Sequence, residues 1–438
     1  MTGVEIGIAS VILIVLLIYA GLYITVALGL VSFVGVWILR GDVEIAMSLL
    51  SLSVAGTVSH EVFATVPLFA LMGLIVSQAG LGKDVYDVAN HMFYKVAGGL
   101  GIATVAANAV FASITGSSIA SASVFTRISV PEMRRFGYTA RFSVGVVAGS
   151  SVLGMLIPPS ALLIIYAIVT EQSVGHMFLA GIIPGVLLAV AYSVAILLMA
   201  YVAPKFVGGG DVGPGDEDWR DLTIRDVVSK LMPIVVLVLV VLGGIYGGVV
   251  TPVEAGAAGS LAALIIALVK RKMTWRGLWE VLVETGHITA TILFLIVAAS
   301  MYSRMIGMAG LPTLFGEWLT GQGYQLAAIM VLYVILVILL GTIIDPASII
   351  LIVVPLFLSA IEGFGSSLVW FGIITVVAAE IGLLTPPLGI ACFVIKSTLR
   401  DPTISLKDIF IGAFPFAVIM LLVLIVLIAY PYLSLALI

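Results

Sequence analysis

Long apolar runs recur along the whole chain, and their length is the first structural signal. Runs such as Glu5 to Ile18, Leu231 to Tyr246 and Phe414 to Leu433 approach the roughly 20 residues that a helix needs to cross a bilayer. The pattern predicts an all-α polytopic membrane protein. Its candidate helices are 5–20, 21–39, 62–80, 141–170, 178–203, 231–250, 253–270, 285–305, 368–397 and 408–436.

Two further apolar stretches, about 100–130 and 325–360, are crowded with Gly, Ser, Thr, Asp or Pro. Each is too long for one span and too polar at its centre to face lipid. Irregular backbone at membrane depth is tolerated only inside protein or beside a water-filled cavity. We therefore predict that both stretches are re-entrant helical hairpins.

The composition supports a membrane protein and argues against other classes. Of 438 residues, 62% are hydrophobic and 10% are charged, whereas a soluble domain has about 25% charged residues. The net charge of −4 gives no basic surface for nucleic acid. The single cysteine, Cys392, excludes an internal disulfide, and we interpret it as a small buried side chain.

The chain repeats one motif. GMLIPP (Gly154 to Pro159) returns 228 residues later as GLLTPP (Gly382 to Pro387), and FLAGIIPG (Phe178 to Gly185) has a weaker echo in FIGAFPF. We predict two halves, 1–204 and 231–438. The first contains the hairpin at about 100–130 and a broken helix at 141–170. The second contains the hairpin at about 325–360 and a broken helix at 368–397.

Basic residues orient the predicted helices, because cytoplasmic loops are enriched in Lys and Arg. Clusters near 127–141, 270–276 and 396–407 all fall in the cytoplasm if the two halves are inverted in the membrane. The Gly-rich and acidic segment 205–230 then becomes a cytoplasmic linker. Inverted repeats with broken helices are typical of secondary transporters, whose binding sites lie near the midplane at the repeat interface.

The paired prolines predict ion sites. A proline lacks the N–H that would bond the carbonyl four residues earlier. An unsatisfied carbonyl in a membrane costs several kcal/mol, and a bound cation such as Na⁺ satisfies it. The alternative is a packing kink whose carbonyls bond Ser, Thr or a neighbouring helix. The freed carbonyls belong to Gly154, Met155, Gly382 and Leu383.

Polar residues elsewhere in apolar surroundings complete the picture. Asp345 lies at the centre of the second hairpin, and an ionisable residue within a membrane is a functional candidate by default. Glu254 fits a capping box with Thr251. Glu380 is a candidate ligand, proton acceptor or partner of Arg304 or Lys396, and the sequence leaves these roles open. Arg304 is either an interfacial arginine or a contact for a substrate carboxylate.

The motifs TGSSIAS, GMLIPPSALLIIY, GGVVTPVEAGAA and EIGLLTPPLG resemble the large membrane subunit of tripartite ATP-independent periplasmic (TRAP) transporters over nearly the whole chain. The resemblance implies an elevator-type, Na⁺-coupled importer of a small organic acid, such as a C4-dicarboxylate or sialic acid, in the inner membrane. It implies a periplasmic substrate-binding protein and a small membrane subunit of about four helices as partners. The length of 438 residues leads us to expect that small subunit on a separate chain.

The resemblance also guides the choice of site residues at the two hairpin tips and the two breaks. The expected ligands of a first Na⁺ site are Ser117, Ser118, Gly154, Met155 and Pro158. Those of a second Na⁺ site are Gly341, Thr342, Asp345, Gly382, Thr385 and Pro386. The expected substrate contacts are Thr115, Gly116, Ser117, Pro159, Ser160, Asp345 and Pro387.

Competing interpretations stay open at this point. One is a Na⁺ symporter of dicarboxylates that needs no binding protein. A second is a Na⁺/H⁺ antiporter that uses Asp345 and Glu380 as proton carriers. We do not expect an enzyme, because no GxSxG motif accompanies the serine-rich first hairpin.

Overall fold

A computed structural model describes residues 2–209, 222–321, 324–399 and 401–438, and these residues form helices throughout apart from short connections and one isolated bridge. The first half contains α1 (Gly3–Tyr19), α2 (Ile24–Arg40), α3 (Val43–Ser59), α4 (Thr65–Gln78), α5 (Leu81–Phe93), α6 (Gly99–Thr115), α7 (Ser118–Arg135), α8 (Ala140–Ser151), α9 (Leu153–Leu156), α10 (Ala161–Val169), α11 (Val174–Val202) and α12 (Pro204–Val207). The second half contains α13 (Ile224–Val238), α14 (Gly244–Tyr246), α15 (Pro252–Val269), α16 (Trp275–Met308), α17 (Leu311–Gly321), α18 (Leu326–Gly341), α19 (Pro346–Gly363), α20 (Leu368–Leu384), α21 (Ile390–Thr398), α22 (Leu406–Ala429) and α23 (Tyr432–Leu435).

Membrane-crossing length is met by seven helical segments among the described residues, or eight if the bent pair α8–α9 and α10 counts as one span. That pair bends by 42° at its break. Six shorter apolar helices also occur, including α6, α18 and α20. The prediction of an all-α polytopic membrane protein agrees with this architecture.

Several helix boundaries differ from the predicted ones. The pattern missed α3, α5 and α17, because these helices carry polar or charged residues that interrupt the apolar runs. The candidate at 285–305 was too short, since α16 runs for 34 residues. The candidate at 408–436 was too long, since α22 ends at Ala429 and α23 follows after a turn.

The predicted linker 205–230 also needs correction. Residues 210–221 lie outside the described part of the chain, but α13 already begins at Ile224. A capping box starts this helix, because the Thr223 hydroxyl and the Asp226 carboxylate satisfy backbone N–H groups of its first turn. The sequence placed these polar residues in a loop, although Thr and Asp at this spacing are a helix start signal. The predicted capping box of Thr251 and Glu254 is confirmed, with Thr251 N donating to Glu254 at 2.8 Å.

The helices pack in two groups. In one group α2 and α4 pack against α16, and α4 also packs against α15. In the other group α8 packs against α6, α7 and α22, α20 packs against α10, α18 and α22, and α17 packs against α19. The two groups meet where α4 contacts α6 and α10, and where α16 contacts α19.

The second group draws helices of both halves close together. A Cβ atom on Gly145 of α8 would lie 2.1 Å from the Gly412 carbonyl oxygen of α22, so this helix crossing requires glycine. Within the second half, the Tyr333 ring lies 4.6 Å from Phe371 and 4.8 Å from Phe357, centroid to centroid. The Tyr333 hydroxyl shares a hydrogen bond of 2.7 Å with Thr375. These aromatic contacts fasten α18, α19 and α20 into one unit.

A charged quartet links the two halves at α5. Lys230 of α13 pairs with Asp87, and Lys270 pairs with Asp84. Lys230 also lies 4.0 Å from Asp84. All four side chains are partly buried, so their charges are screened less than those of exposed pairs.

Candidate functional site

Both predicted hairpins are helix pairs with a short tip, and both predicted broken helices are interrupted at their prolines. We call the tip 115–118 together with the break 154–161 the first crossing. The tip 341–345 together with the break 382–389 is the second crossing. Pro158–Pro159 and Pro386–Pro387 are both cis peptide bonds.

At the first crossing the backbone of the tip touches the backbone of the break. Ala161 N donates to the Gly116 carbonyl at 3.3 Å. A Cβ atom on Gly116 would lie 2.4 Å from the Pro159 carbonyl oxygen, and one on Gly154 would lie 2.8 Å from that of Ser117. Gly116 also has a positive φ of 58°, which favours glycine. This backbone contact requires glycine at both positions, because a side chain at either one would separate the tip from the break.

The second crossing repeats this contact. Leu388 N donates to the Thr342 carbonyl at 3.1 Å. A Cβ atom on Gly382 would lie 2.5 Å from the backbone of Gly341. Each half therefore brings its predicted tip residues against its own predicted break, and the bridging N–H groups lie 227 residues apart in sequence.

The freed carbonyls are not all open to a ligand. The Ser160 hydroxyl donates to the Met155 carbonyl. The Thr385 hydroxyl lies 2.7 Å from the Ile381 carbonyl and 3.1 Å from that of Gly382. Serine and threonine thus take part of the role that the sequence assigned to an ion at Met155 and Gly382. The Gly382 carbonyl also accepts the Thr385 N–H at 3.0 Å, so both of its lone pairs are occupied.

Helix N-termini converge on the crossings. The side chains of Ser117, Ser160 and Asp345 cap α7, α10 and α19 respectively. One Asp345 carboxylate oxygen accepts the Ser348 N–H at 3.1 Å, and the other accepts the Ser348 hydroxyl at 2.5 Å. Asp345 is half-buried. The N-terminal ends of these helices carry partial positive charge. The crossings can therefore attract an anionic group, and the capping side chains also stabilise the helices.

Glu380 has a partner that the sequence analysis missed. Its carboxylate is fully buried in α20, and the Ser118 hydroxyl lies 3.0 and 2.9 Å from its two oxygens. Neither of the two partners that the sequence left open contacts it: Lys396 donates to the Ile404 carbonyl, and Arg304 lines a cavity elsewhere. Ser118 is 262 residues away in sequence, and no spacing rule connects the two positions. Only the packing of the two halves brings them together.

A cavity of about 710 Å³ lies between the two groups of helices. Residues of α3 and α16 form one wall, and residues of α10 and α19 form the opposite wall. Arg304 and Glu171 provide its charges, and both are exposed. The other lining residues are Gly56, Thr57, His60, Val62, Phe63, Ala167, Ile168, Val169, Gln172, Ile296, Ala299, Ser300, Ser303, Leu351 and Pro355. The predicted substrate contacts at the tips and prolines do not line this cavity.

Comparison with known proteins places these features in a family. Residues 11–433 match the model of the family described as "Tripartite ATP-independent periplasmic transporter, DctM component". The chain is 33% identical over 389 residues to the C4-dicarboxylate TRAP transporter large permease protein DctM of Pseudomonas aeruginosa, covering 89% of this chain and 88% of that one. It is 28% identical to the sialic acid TRAP transporter large permease protein SiaM of Vibrio cholerae, covering 87% of each.

A solved structure shares the fold. The YdaH transporter of Alcanivorax borkumensis superposes with a TM-score of 0.66 and 14% identity, covering 90% of each chain. At that identity the likeness is one of fold alone. The helix-rich architecture of this chain is therefore one that a solved transporter structure shares.

Proposed function

The chain belongs to the DctM component family of tripartite ATP-independent periplasmic transporters, and we propose that it imports a small organic acid in symport with Na⁺. It is a multi-pass inner-membrane protein and a transporter component rather than an enzyme. Family membership implies a small membrane subunit and a periplasmic binding protein as partners. Na⁺ coupling and the identity of the acid belong to the proposal.

The matched crossings carry the Na⁺ proposal. Each places backbone carbonyls, hydroxyl oxygens and a helix end within one small volume, and oxygen is the ligand that hard cations prefer. Unwound helix segments coordinate Na⁺ in transporters with inverted repeats. Each Na⁺ that enters with the membrane potential contributes about 2.3 kcal/mol per 100 mV, before its concentration gradient is counted.

The substrate proposal rests on Arg304. Arg304 lines the cavity between the two helix groups, where a bound acid would contact both groups at once. A guanidinium binds a carboxylate through two parallel hydrogen bonds. The relatives named above carry C4-dicarboxylates and sialic acid, and both kinds of substrate contain carboxylate groups. We therefore propose that a carboxylate of the substrate meets Arg304 before it reaches the helix N-termini of the crossings.

The two helix groups also suggest the transport movement. One group would stay fixed while the other, which carries both crossings, slides past it as an elevator. The cavity lies along the surface that this movement would use. Access would then alternate between the two sides of the membrane.

Uptake into proteoliposomes tests the proposal. The chain is reconstituted with its small subunit, and uptake of the binding protein's tightest ligand is measured under an inward Na⁺ gradient. The proposal expects uptake that needs both Na⁺ and the binding protein. Uptake without the binding protein would establish a simple symporter instead, and a Na⁺-driven pH change without substrate would establish an antiporter.

Arg304→Gln tests the substrate contact in the same assay. Loss of a charge-assisted hydrogen bond costs about 1.5–3 kcal/mol, so we expect the apparent KM to rise by about tenfold or more with the Na⁺ dependence unchanged. Arg40→Gln is the matched control, because Arg40 ends α2 and does not line the cavity. Equal kinetics for the two variants would refute the assignment of Arg304.

A further inference from the structure

The buried pair of Ser118 and Glu380 is the one place among the described residues where a hydrogen bond joins the first hairpin's tip to the second half's broken helix. Ser118 is the first residue of α7, and Glu380 lies one turn before the break that follows α20. Both side chains are fully buried. The pair therefore ties the first crossing to a carboxyl group that its own half does not contain.

The hydrogen bonding of this carboxyl group is incomplete. A serine hydroxyl carries one hydrogen and can donate to one acceptor at a time, yet two carboxylate oxygens compete for it at 2.9 and 3.0 Å. An ionised carboxylate in a low-dielectric interior needs an opposite charge, because removing it from water costs several kcal/mol. A single neutral hydroxyl does not supply that charge.

In the described part of the chain, no basic side chain forms an ion pair with Glu380. The helices with the most extensive contacts to α20 are α9, α10, α11, α18, α19, α21, α22 and α23. Their charged residues sit near helix ends and are His176, Glu362, Lys396, Lys407 and Asp408. Lys396 donates to a backbone carbonyl, and Asp408 pairs with Arg141. The Tyr192 hydroxyl of α11 lies within electrostatic range of Glu380, but it is neutral.

Two further buried oxygens near the pair have no partner among the described residues. The Ser121 hydroxyl lies one turn after Ser118 on the same face of α7, and it is fully buried. The Tyr192 hydroxyl is also fully buried and unbonded. Buried polar groups are normally satisfied, so both hydroxyls can contribute a hydrogen bond or a lone pair to a polar ligand in this region.

We propose that Glu380 is the anionic ligand of the first crossing's cation site. This inference rests on the proposed Na⁺ coupling and adds a residue to it. In this proposal the Glu380 carboxylate of the second half and the Ser118 hydroxyl of the first coordinate the cation from the same side, because their oxygens already lie 2.9 and 3.0 Å apart. The site is therefore shared between the halves, and its occupancy pulls the first hairpin's tip onto α20.

The proposal has a counterpart at the second crossing. The residue of the first half that corresponds to Glu380 by the 228-residue offset is Val152. The first half therefore has no equivalent carboxylate to place at the second crossing. The second crossing instead has Asp345 on its own tip. Each crossing then has one carboxylate to balance one Na⁺, although the two acids come from unrelated positions.

Glu380→Gln tests the assignment without relying on transport. The purified complex with the small subunit is titrated with NaCl in detergent, with choline chloride keeping the ionic strength constant, and the Tm is followed. Gln keeps a hydrogen bond to Ser118 but loses the charge. We expect Glu380→Gln to unfold at the same or a higher temperature than the wild type without Na⁺, because neutralising a buried charge often stabilises. We expect its Na⁺-induced shift to move to at least tenfold higher NaCl.

Glu362→Gln is the matched control, because Glu362 is an exposed glutamate near the end of α19. It should respond to Na⁺ as the wild type does. Ser118→Ala provides a second test that keeps the carboxyl group, with an expected severalfold loss of Na⁺ affinity. A Glu380→Gln protein with the wild-type Na⁺ midpoint would overturn the assignment and leave Na⁺ coupling intact. A wild-type complex with no Na⁺ response would overturn both.

Discussion

At the first crossing Pro158 and Pro159 are buried, whereas at the second crossing Pro386 and Pro387 are exposed. The cause lies in the helix that covers each break. A Cβ atom on Gly181 of α11 would lie 2.5 Å from the Leu156 carbonyl oxygen, so glycine lets α11 close over the first break. In the second half the glycine of the corresponding segment is Gly412 of α22, and it packs against α8 rather than against the second break. The same break motif therefore gives one enclosed and one open environment.

The different burial of the two proline pairs shows that the repeated motif specifies the backbone of the crossings but not the side chains that surround them. Both halves keep the hydrogen bond between tip and break. The hydroxyl that supports the first break is Ser160, but position 388, its counterpart in the second half, is Leu388 with 45% exposure. An enclosed site has to open before an ion enters. We therefore expect the second crossing to exchange its ion faster than the first.

The largest effect is expected from adding a methyl group where backbones touch. Gly154→Ala and Gly382→Ala should both abolish Na⁺-dependent uptake, because the new Cβ atoms would lie 2.8 and 2.5 Å from backbone atoms of the tips. Overpacking costs about 1–3 kcal/mol, so folded protein should still be recovered. Size-exclusion chromatography and uptake provide the measurements. Gly286→Ala is the control, since its Cβ atom would meet nothing within 4 Å. Wild-type uptake by either crossing variant would contradict the close packing of tip against break.

Asp345→Asn addresses the carboxylate of the open crossing. Asn caps a helix about as well as Asp, so the Tm without Na⁺ should change little. Loss of the charge should raise the NaCl concentration for half-maximal uptake by about tenfold, in line with a charge-assisted contact. Ser367→Ala, which removes a cap of α20 remote from both tips, should show the opposite result: a lower Tm with unchanged Na⁺ dependence. If Asp345→Asn has the wild-type Na⁺ dependence, Asp345 is only a helix cap.

Ser160→Ala is expected to have a smaller effect, on stability. It removes the cap of α10 and the donor to the Met155 carbonyl, which together should lower the free energy of unfolding by about 1–2 kcal/mol. Leu388→Ala at the corresponding position should cost less, because that side chain is already exposed. Thermal unfolding of the two variants measures this difference, and a larger loss at Leu388 would reverse the comparison.

Cysteine labelling sharpens the contrast with little expected effect on transport. Leu388→Cys should react with a water-soluble maleimide, and Ser160→Cys should not, because Ser160 is fully buried. The native Cys392 is also buried, which keeps the background low. Mass spectrometry of intact protein gives the labelled fraction. Equal labelling of both positions would mean that the first break is as open as the second.

The sequence predicts the elements of the crossings better than their environment. The prolines, the glycines beside them and the offset of 228 residues are local signals, because each follows from backbone sterics. The predicted burial of Cys392 is confirmed for the same reason, since a small apolar residue inside an apolar run packs inward. Short amphipathic helices such as α5 escaped detection because charges interrupt their apolar pattern.

What the sequence could not provide depends on contacts between distant segments. The pairing of Ser118 with Glu380 and the cavity beside Arg304 both form only when the two halves pack together. The bond from the Ser160 hydroxyl to the Met155 carbonyl matches the alternative that the sequence left open, in which Ser or Thr satisfies a freed carbonyl. The inverted placement of the halves and the elevator movement stay predictions.

The quartet of Asp84, Asp87, Lys230 and Lys270 has a mechanical consequence. If α5 moves away from α13 and α15, the neutral quartet separates into a doubly negative and a doubly positive surface. The attraction between the two surfaces opposes their separation, but salt screens it beyond about one Debye length, roughly 8 Å at physiological ionic strength. Small excursions would be pulled back, while a displacement beyond that length would meet almost no resistance. The quartet would thus set a threshold for the proposed elevator movement, and the salt concentration around these four side chains would set the height of that threshold.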